Sequence, residues 1–203
     1  MSLEDLIAQA DARGLAASGL ACSDRCVSLL VDDDELLRPL WAHLVDDSDW
    51  SESLEKVRAA VGAVEPGSGS GSGSGAGFGE GEAAGLARRM LLTAPAERSG
   101  AALREWADAC SLASLRLHRL LDPADPAEPS EGALTAGSDE AVRGADGAEE
   151  APPLVAAELG RQIVVLQLLA EHGPQGLRRA VDVSGEGRRV LRAVVSRRAR
   201  GRG

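Results

Sequence analysis

Aromatic residues are nearly absent from this sequence. It contains no Tyr, one Phe and three Trp, so Ala, Leu and Val carry most of its apolar content. Ala and Leu lose little side-chain freedom when they enter a helix. The composition therefore favours helices over sheets.

Long apolar runs and a basic leader are also missing. The segment nearest to a membrane span, at 163–170, is far shorter than the ~18 continuous apolar residues that a span requires. The first residues, MSLEDLIAQADARG, are acidic where a signal peptide requires a basic region followed by a long apolar run. We therefore expect a cytoplasmic protein that has no membrane partner.

Cysteine is scarce, with three residues at Cys22, Cys26 and Cys110. This odd number in a helix-like sequence is typical of reduced thiols in a cytoplasm. Cys22 and Cys26 are four residues apart and share one face of a helix, which is compatible with zinc binding. A zinc site would need two more ligands from Cys110, His43 and His118, but the usual finger and ribbon spacings are missing. We predict no metal and no other cofactor.

The sequence also lacks motifs that carry catalysis. It has no GxSxG elbow and no P-loop, and its acidic runs at 32–35 and 46–49 lack the alternating ligands and the Gly of an EF-hand loop. The glycines between 67 and 81 form a Gly-Ser repeat, and they do not match a dinucleotide-binding turn. These absences predict that the chain is not an enzyme.

Two low-complexity stretches divide the chain. Residues 65–81 are rich in Gly and Ser, and residues 122–153 are rich in Pro, Gly, Ala and acids, so neither can bury enough apolar surface to offset its ordering entropy. About 150 residues remain to fold, which is the usual size of one domain. We predict five segments: N-terminal helices (1–64), a flexible Gly/Ser loop (65–81), central helices of the same bundle (82–121), a disordered acidic spacer (122–153) and C-terminal helices with a basic tail (154–203).

The stretch 99–122 has the strongest helical periodicity. Its apolar residues recur at steps of three and four, as expected for one buried face of a helix: Leu103, Trp106, Cys110, Ala113, Leu117 and Leu120. Leu112 and Leu115 fall on roughly the opposite side, so they either meet the N-terminal helices or form an exposed binding face. This stretch is the predicted central helix.

Other stretches supply its expected neighbours. Ser2 and Asp5 match a capping box for a first helix that Gly14 would end, and small residues at 18–21 suggest a turn. The stretch 154–172 is the expected main partner of the central helix. Two shorter helices are expected at 177–183 and 187–199. The predicted fold is an all-α helical bundle of about six to eight helices.

Charge is distributed in blocks. Residues 1–65 hold 14 acidic and 5 basic residues, whereas residues 154–203 hold 4 acidic and 10 basic residues. Such asymmetry is a sign of nucleic-acid binding or of an interaction tail. An acidic front that pairs with the basic tail, within one chain or between copies, explains it equally well.

These observations favour a non-enzymatic protein that acts through protein contacts, as an adaptor or regulatory subunit, with an unknown protein or a second copy of itself as partner. The alternative is a nucleic-acid-associated regulator that uses the arginine-rich tail, although this tail has no aromatic residue on which a base could stack. The candidate binding residues are Trp41, Trp50, Leu112, Leu115, Arg188, Arg189, Arg192, Arg197 and Arg198.

Overall fold

Helices joined by short turns make up the described part of the chain. The computed structural model describes residues 2–63, 78–122, 142–144 and 151–201. Within them no strand occurs, and the all-α bundle is confirmed. The α-helices that pack into the bundle are α1 (Leu3–Gln9), α2 (Ala12–Cys26), α3 (Arg38–Asp46), α4 (Ser51–Gly62), α5 (Phe78–Leu92), α6 (Gly100–Leu121), α7 (Pro153–His172) and α8 (Gly176–Gly201).

The first helix boundary differs from the predicted one. The capping box of α1 is present, with Asp5 N donating to Ser2 Oγ at 3.2 Å and Ser2 N donating to Asp5 Oδ2 at 3.0 Å. However, α1 ends at Gln9, and Asp11 starts α2 by accepting a hydrogen bond from Gly14 N at 2.7 Å. The prediction that Gly14 ends the first helix is wrong, because Asp11 supplies a new N-cap.

The predicted turn at 18–21 is also wrong, since these residues lie in the middle of α2. Every residue from Gly14 to Cys26 is buried, and α2 packs on α6, α7 and α8. A Cβ atom at Gly19 would lie 2.5 Å from Trp106 Cζ3. The small residues that suggested a turn therefore allow α6 to approach α2 closely.

The stretch 99–122 forms α6, in which Leu103, Trp106, Cys110 and Leu117 are buried as the periodicity predicts. Its packing differs in one respect, because α6 packs more extensively on α2 and α5 than on the expected main partner α7. The helix with the longest fully buried stretch is α2. Because α2 and α6 also pack extensively on each other, they together form the centre of the bundle.

The basic end of the chain forms one helix, α8, where two short helices were expected. Ser184, which lies between the two predicted helices, donates to Ala180 O at 2.8 Å inside α8. Gly185 and Gly187 do not interrupt the helix, and a Cβ atom at Gly187 would lie 2.4 Å from Arg25 Cδ. Packing against α2 therefore outweighs the low helix propensity of these glycines.

The two low-complexity predictions fall largely outside the described residues. The parts of these two segments outside the described residues are 64–77, 123–141 and 145–150. The described remainder corrects both predicted segments: 78–81 belong to α5, and Val142 and Arg143 are helical and buried, with Arg143 paired to Asp108 of α6.

One described stretch, Pro153–Gly201, has the length and composition of a membrane span. Its most apolar 18-residue window has a mean hydropathy of 1.4, and 44% of that window is buried inside the structure. Core helices pass the same test. Since α7 also carries the buried Glu158 and Gln162, its composition suits a bundle core.

Candidate functional site

Two tryptophans that were expected to anchor a partner lie in the interior. Trp41 is 5% exposed and donates from Nε1 to Asp24 Oδ2 at 3.1 Å. Trp50 is 1% exposed, and its Nε1 donates to Pro95 O at 3.1 Å and to Ala96 O at 2.9 Å. This placement corrects the expectation for both residues, since each indole ring is packed and its polar atom is satisfied within the chain.

Leu112 and Leu115 separate in the structure. Leu115 is 0% exposed and belongs to the core, so of the two alternatives the exposed binding face is wrong for this residue. Leu112 is half-buried. By helical periodicity it follows Glu105 and Ala109 on α6, both of which are exposed. Leu112 therefore remains a candidate for a surface contact.

The predicted arginine cluster divides into engaged and exposed members. Arg188 Nη1 donates to Asp24 Oδ1 at 2.7 Å, and Arg192 Nη2 donates to Asp34 Oδ1 at 2.5 Å. Arg198 donates to Leu120 O at 3.2 Å. Arg189 and Arg197 are exposed. Part of the basic tail is thus neutralised by the acidic front of the same chain.

These ion pairs border a charged cleft of about 310 Å³. We call Asp24, Asp34, Arg188 and Arg192 the α8 ion-pair cluster. The hydrogen bond from Arg192 is the main cause that lowers the pKa of Asp34. Burial raises the pKa of Asp24, even though Arg188 and the Trp41 indole favour its charged form. The carboxylates and guanidiniums already pair with one another, so the cluster mainly joins α8 to α2 and to the segment before α3.

A second set of polar residues, which sequence reasoning missed, is buried between α2, α6 and α7. Arg25 donates to Glu158 from Nε to Oε2 at 2.8 Å and from Nη2 to Oε1 at 2.6 Å, and both side chains are 0% exposed. Ser114 Oγ and Gln162 Nε2 donate to Glu158 Oε1 at 2.7 and 2.9 Å. We call this set, with His118 and Ser111, the buried polar cluster.

The contacts within the buried polar cluster determine which of its side chains are charged. Burial by itself would raise the pKa of Glu158, but the charge of Arg25 and the surrounding donors lower that pKa to about 2. Burial lowers the pKa of His118 despite the attraction of Glu158. His118 Nδ1 lies 2.7 Å from Ser114 O, and a carbonyl only accepts, so Nδ1 carries the proton. The cluster therefore holds one ion pair and a neutral imidazole.

A sequence signal for this cluster existed. Arg25 follows Cys22 by three residues, and Glu158 follows Val155 by three, so each charge occupies a position with core spacing on its helix. Opposite charges at core positions of two helices indicate a buried ion pair. The sequence could not show that these particular helices are neighbours.

The three cysteines are all free and buried. Burial raises the pKa of Cys22 to about 12 and also raises the pKa values of Cys26 and Cys110. Because the thiolate is the nucleophile and the metal ligand, these thiols are inert in this state. Within the described ranges, no group of three or more His, Cys, Asp or Glu side chains is placed to hold a metal ion.

An apolar cleft of about 380 Å³ opens between α5 and α6. Buried Met90 and Trp106 line it, and Trp106 Nε1 donates to Met90 O at 2.8 Å, which fixes the two helices against each other. The residues that line it at the surface define the α5–α6 face: Leu86, Arg89, Thr93, Ala102, Glu105 and Ala109. An apolar floor between charged rims is suited to bind an apolar surface of another molecule.

The described residues form an all-α helical bundle that has an apolar cleft between α5 and α6 and a charged cleft beside the α8 ion-pair cluster. Comparison of the chain with protein-family models, curated proteins and solved structures gives no match. The geometry of these sites is therefore the basis on which a function can be proposed.

Proposed function

We propose that the chain is a non-enzymatic helical protein that acts through protein–protein contacts, as an adaptor or regulatory subunit. The observation that carries this proposal is the apolar cleft of about 380 Å³ on the α5–α6 face. Its lining includes Trp106, Met90 and Arg89, and aromatic residues, Met and Arg are enriched at protein interfaces. Met also adapts its shape to a partner surface.

The placement of the acid–base groups of the buried polar cluster supports a non-enzymatic role. A general acid or base must come within hydrogen-bond reach of its substrate. Arg25, His118 and Glu158 are fully buried, and none of them lines either of the two clefts. Their arrangement is that of a structural ion pair inside a bundle.

Site-specific photo-crosslinking in the source cells tests this proposal. A photoreactive residue in place of Thr93, which lines the cleft, is expected to give a discrete crosslinked protein species. The same residue in place of Ala199, exposed on α8, is the control and is expected to give none.

The variant Ala109→Arg sharpens this experiment, because it places a bulky charge at the cleft without disturbing a buried position. We expect it to abolish the crosslink from Thr93 while the helical circular dichroism spectrum is unchanged. Equal crosslinking from both positions, or a crosslink that survives Ala109→Arg, would exclude the α5–α6 face as the contact surface.

Exposed arginines on α8 favour a second candidate function, a nucleic-acid-associated regulator. Arg189 and Arg197 could neutralise phosphates without breaking the α8 ion-pair cluster. Removal of 187–203 is a poor test, because Leu191 belongs to the core. The double variant Arg189→Glu, Arg197→Glu is better, and it should abolish retention of a mixed DNA or RNA pool at ~50 mM salt if this function is correct. An unmutated chain that retains no nucleic acid excludes it.

A further inference from the structure

We infer that the occupant of the α5–α6 face is a second copy of this chain, related by a twofold axis parallel to α5 and α6. This inference rests on the proposed function and names its partner. Its basis is the charge of the cleft walls, where α5 carries Arg89 and α6 carries Glu105. Both side chains are exposed, and neither forms an ion pair with another described residue.

The two charges lie at similar heights along the helices. Trp106 Nε1 donates to Met90 O at 2.8 Å, so residues 90 and 106 face each other across the α5–α6 contact. Arg89 and Glu105 each precede one of these residues by a single position, which displaces them in opposite directions along antiparallel helices and separates them by about 3 Å along the helix axes, a gap that a long arginine side chain can span. The segment 93–99 joins the two helices, which therefore run in opposite directions.

This geometry makes the face complementary to itself. In a twofold interface, residue i of one copy contacts residue j of the other, and the reverse contact also forms. A twofold axis parallel to the helices lays α5 of each copy on α6 of its partner at unchanged height. Arg89 of each copy then faces Glu105 of the other, which gives two equivalent ion pairs.

The apolar part of the face suits the same arrangement. Ala102 and Ala109 are small and exposed on α6, so they allow the α5 helix of a second copy to approach closely. Two helices from each copy would form a four-helix arrangement with antiparallel neighbours, a common stable packing.

Charge exchange at the two positions tests the inference. Sedimentation equilibrium of the full chain is expected to show a dimer for the unmutated protein. Arg89→Glu and Glu105→Arg each place two like-charge pairs in the interface, and we expect each to raise the dimer Kd by about tenfold or more. The double variant restores opposite charges and is expected to restore the dimer. Arg178→Glu, an equal charge change at an exposed position of α8, is the control and should leave the dimer unchanged.

The outcomes separate this inference from the proposed function. A monomeric unmutated chain excludes the second copy, yet the proposed function stands if Thr93 still crosslinks to a different protein. A dimer that is unaffected by both single variants places the interface elsewhere, which overturns the inference. Loss of the dimer in both single variants without recovery in the double variant excludes the twofold pairing of Arg89 with Glu105.

Discussion

Two groups of ion pairs hold this bundle together, and they differ in burial. The buried polar cluster joins α2 to α7 through Arg25 and Glu158, which have no solvent exposure. The α8 ion-pair cluster joins α8 to the acidic front through Asp34 and Arg192, which are close to half exposed. Water and salt screen the Asp34–Arg192 pair but cannot reach the Arg25–Glu158 pair. Disrupting an ion pair should therefore cost much stability in the buried polar cluster and little stability at the Asp34–Arg192 pair.

The two regions meet at Gly187. This residue of α8 lies directly on the side chain of Arg25, at a distance that leaves no space for a Cβ atom. The neighbouring Arg188 then pairs with Asp24, which precedes Arg25 in α2. Close approach of α8 thus covers the buried polar cluster and forms the α8 ion-pair cluster at the same time.

The largest effect is expected from Arg25→Met, which leaves the Glu158 charge buried without its partner. Breaking one side of a buried ion pair costs about 3–5 kcal/mol of the free energy of unfolding. Urea denaturation followed by circular dichroism measures this cost. The double variant Arg25→Met, Glu158→Leu removes both charges and is expected to recover much of the loss. A loss of less than about 1 kcal/mol in the single variant would show that the pair is no more important than a surface pair.

Acid should destabilise the protein through the buried polar cluster. The pKa of Glu158 is lowered from 4.5 to about 2 on folding, so its stabilising contribution is present above pH 4.5 and is lost as pH falls towards 2. This shift corresponds to about 3 kcal/mol. Burial also lowers the pKa of His118, and stability should therefore begin to fall when pH drops below about 6.5, where the unfolded imidazole gains a proton.

Stability measured by urea denaturation between pH 8 and 3 checks this prediction. His118→Gln should remove the decrease that begins near pH 6.5 and keep the decrease at lower pH. An unchanged pH profile in this variant would contradict a buried neutral imidazole. Asp24 of the α8 ion-pair cluster acts in the opposite direction, because burial raises its pKa and protonation therefore favours the folded state.

An intermediate effect is expected from Gly187→Ala. The added Cβ atom would lie 2.4 Å from Arg25 Cδ and 2.9 Å from Arg25 Cγ. Overpacking of this kind costs about 1–3 kcal/mol. Gly185→Ala is the matched control in the same helix, since its Cβ would meet no atom within 4 Å. There the higher helix propensity of Ala should raise thermal stability slightly. Equal melting temperatures for the two variants would contradict the close approach of α8 to Arg25.

The smallest effect is expected from Asp34→Asn, which removes the carboxylate charge that pairs with Arg192. Exposed ion pairs contribute about 0–1 kcal/mol, and salt screens them. The melting temperature should decrease slightly at low salt, and the difference from the unmutated chain should vanish at about 1 M salt. If the decrease in melting temperature persisted at high salt, the Asp34–Arg192 pair would be protected from screening in the way that the buried Arg25–Glu158 pair is.

Local regularities determined much of the architecture from the sequence alone. The periodicity of 99–122, the capping box of Ser2 and Asp5 and the excess of Ala and Leu each depend on neighbours within a few residues. Such patterns predict where helices form and which face is apolar. They correctly predict the all-α bundle and the buried residues Leu103 and Trp106.

The tertiary structure alone decided which helices meet and which charges pair. Arg25 and Glu158 are 133 positions apart in the chain. The turn predicted at 18–21 lies inside α2, because Gly19 packs on Trp106 of α6. The tertiary structure also decided that Trp41 and Trp50 lie in the interior and that the α5–α6 face is open. The physical reason is that helix formation is a short-range property of the backbone, whereas burial and pairing depend on contacts between distant segments.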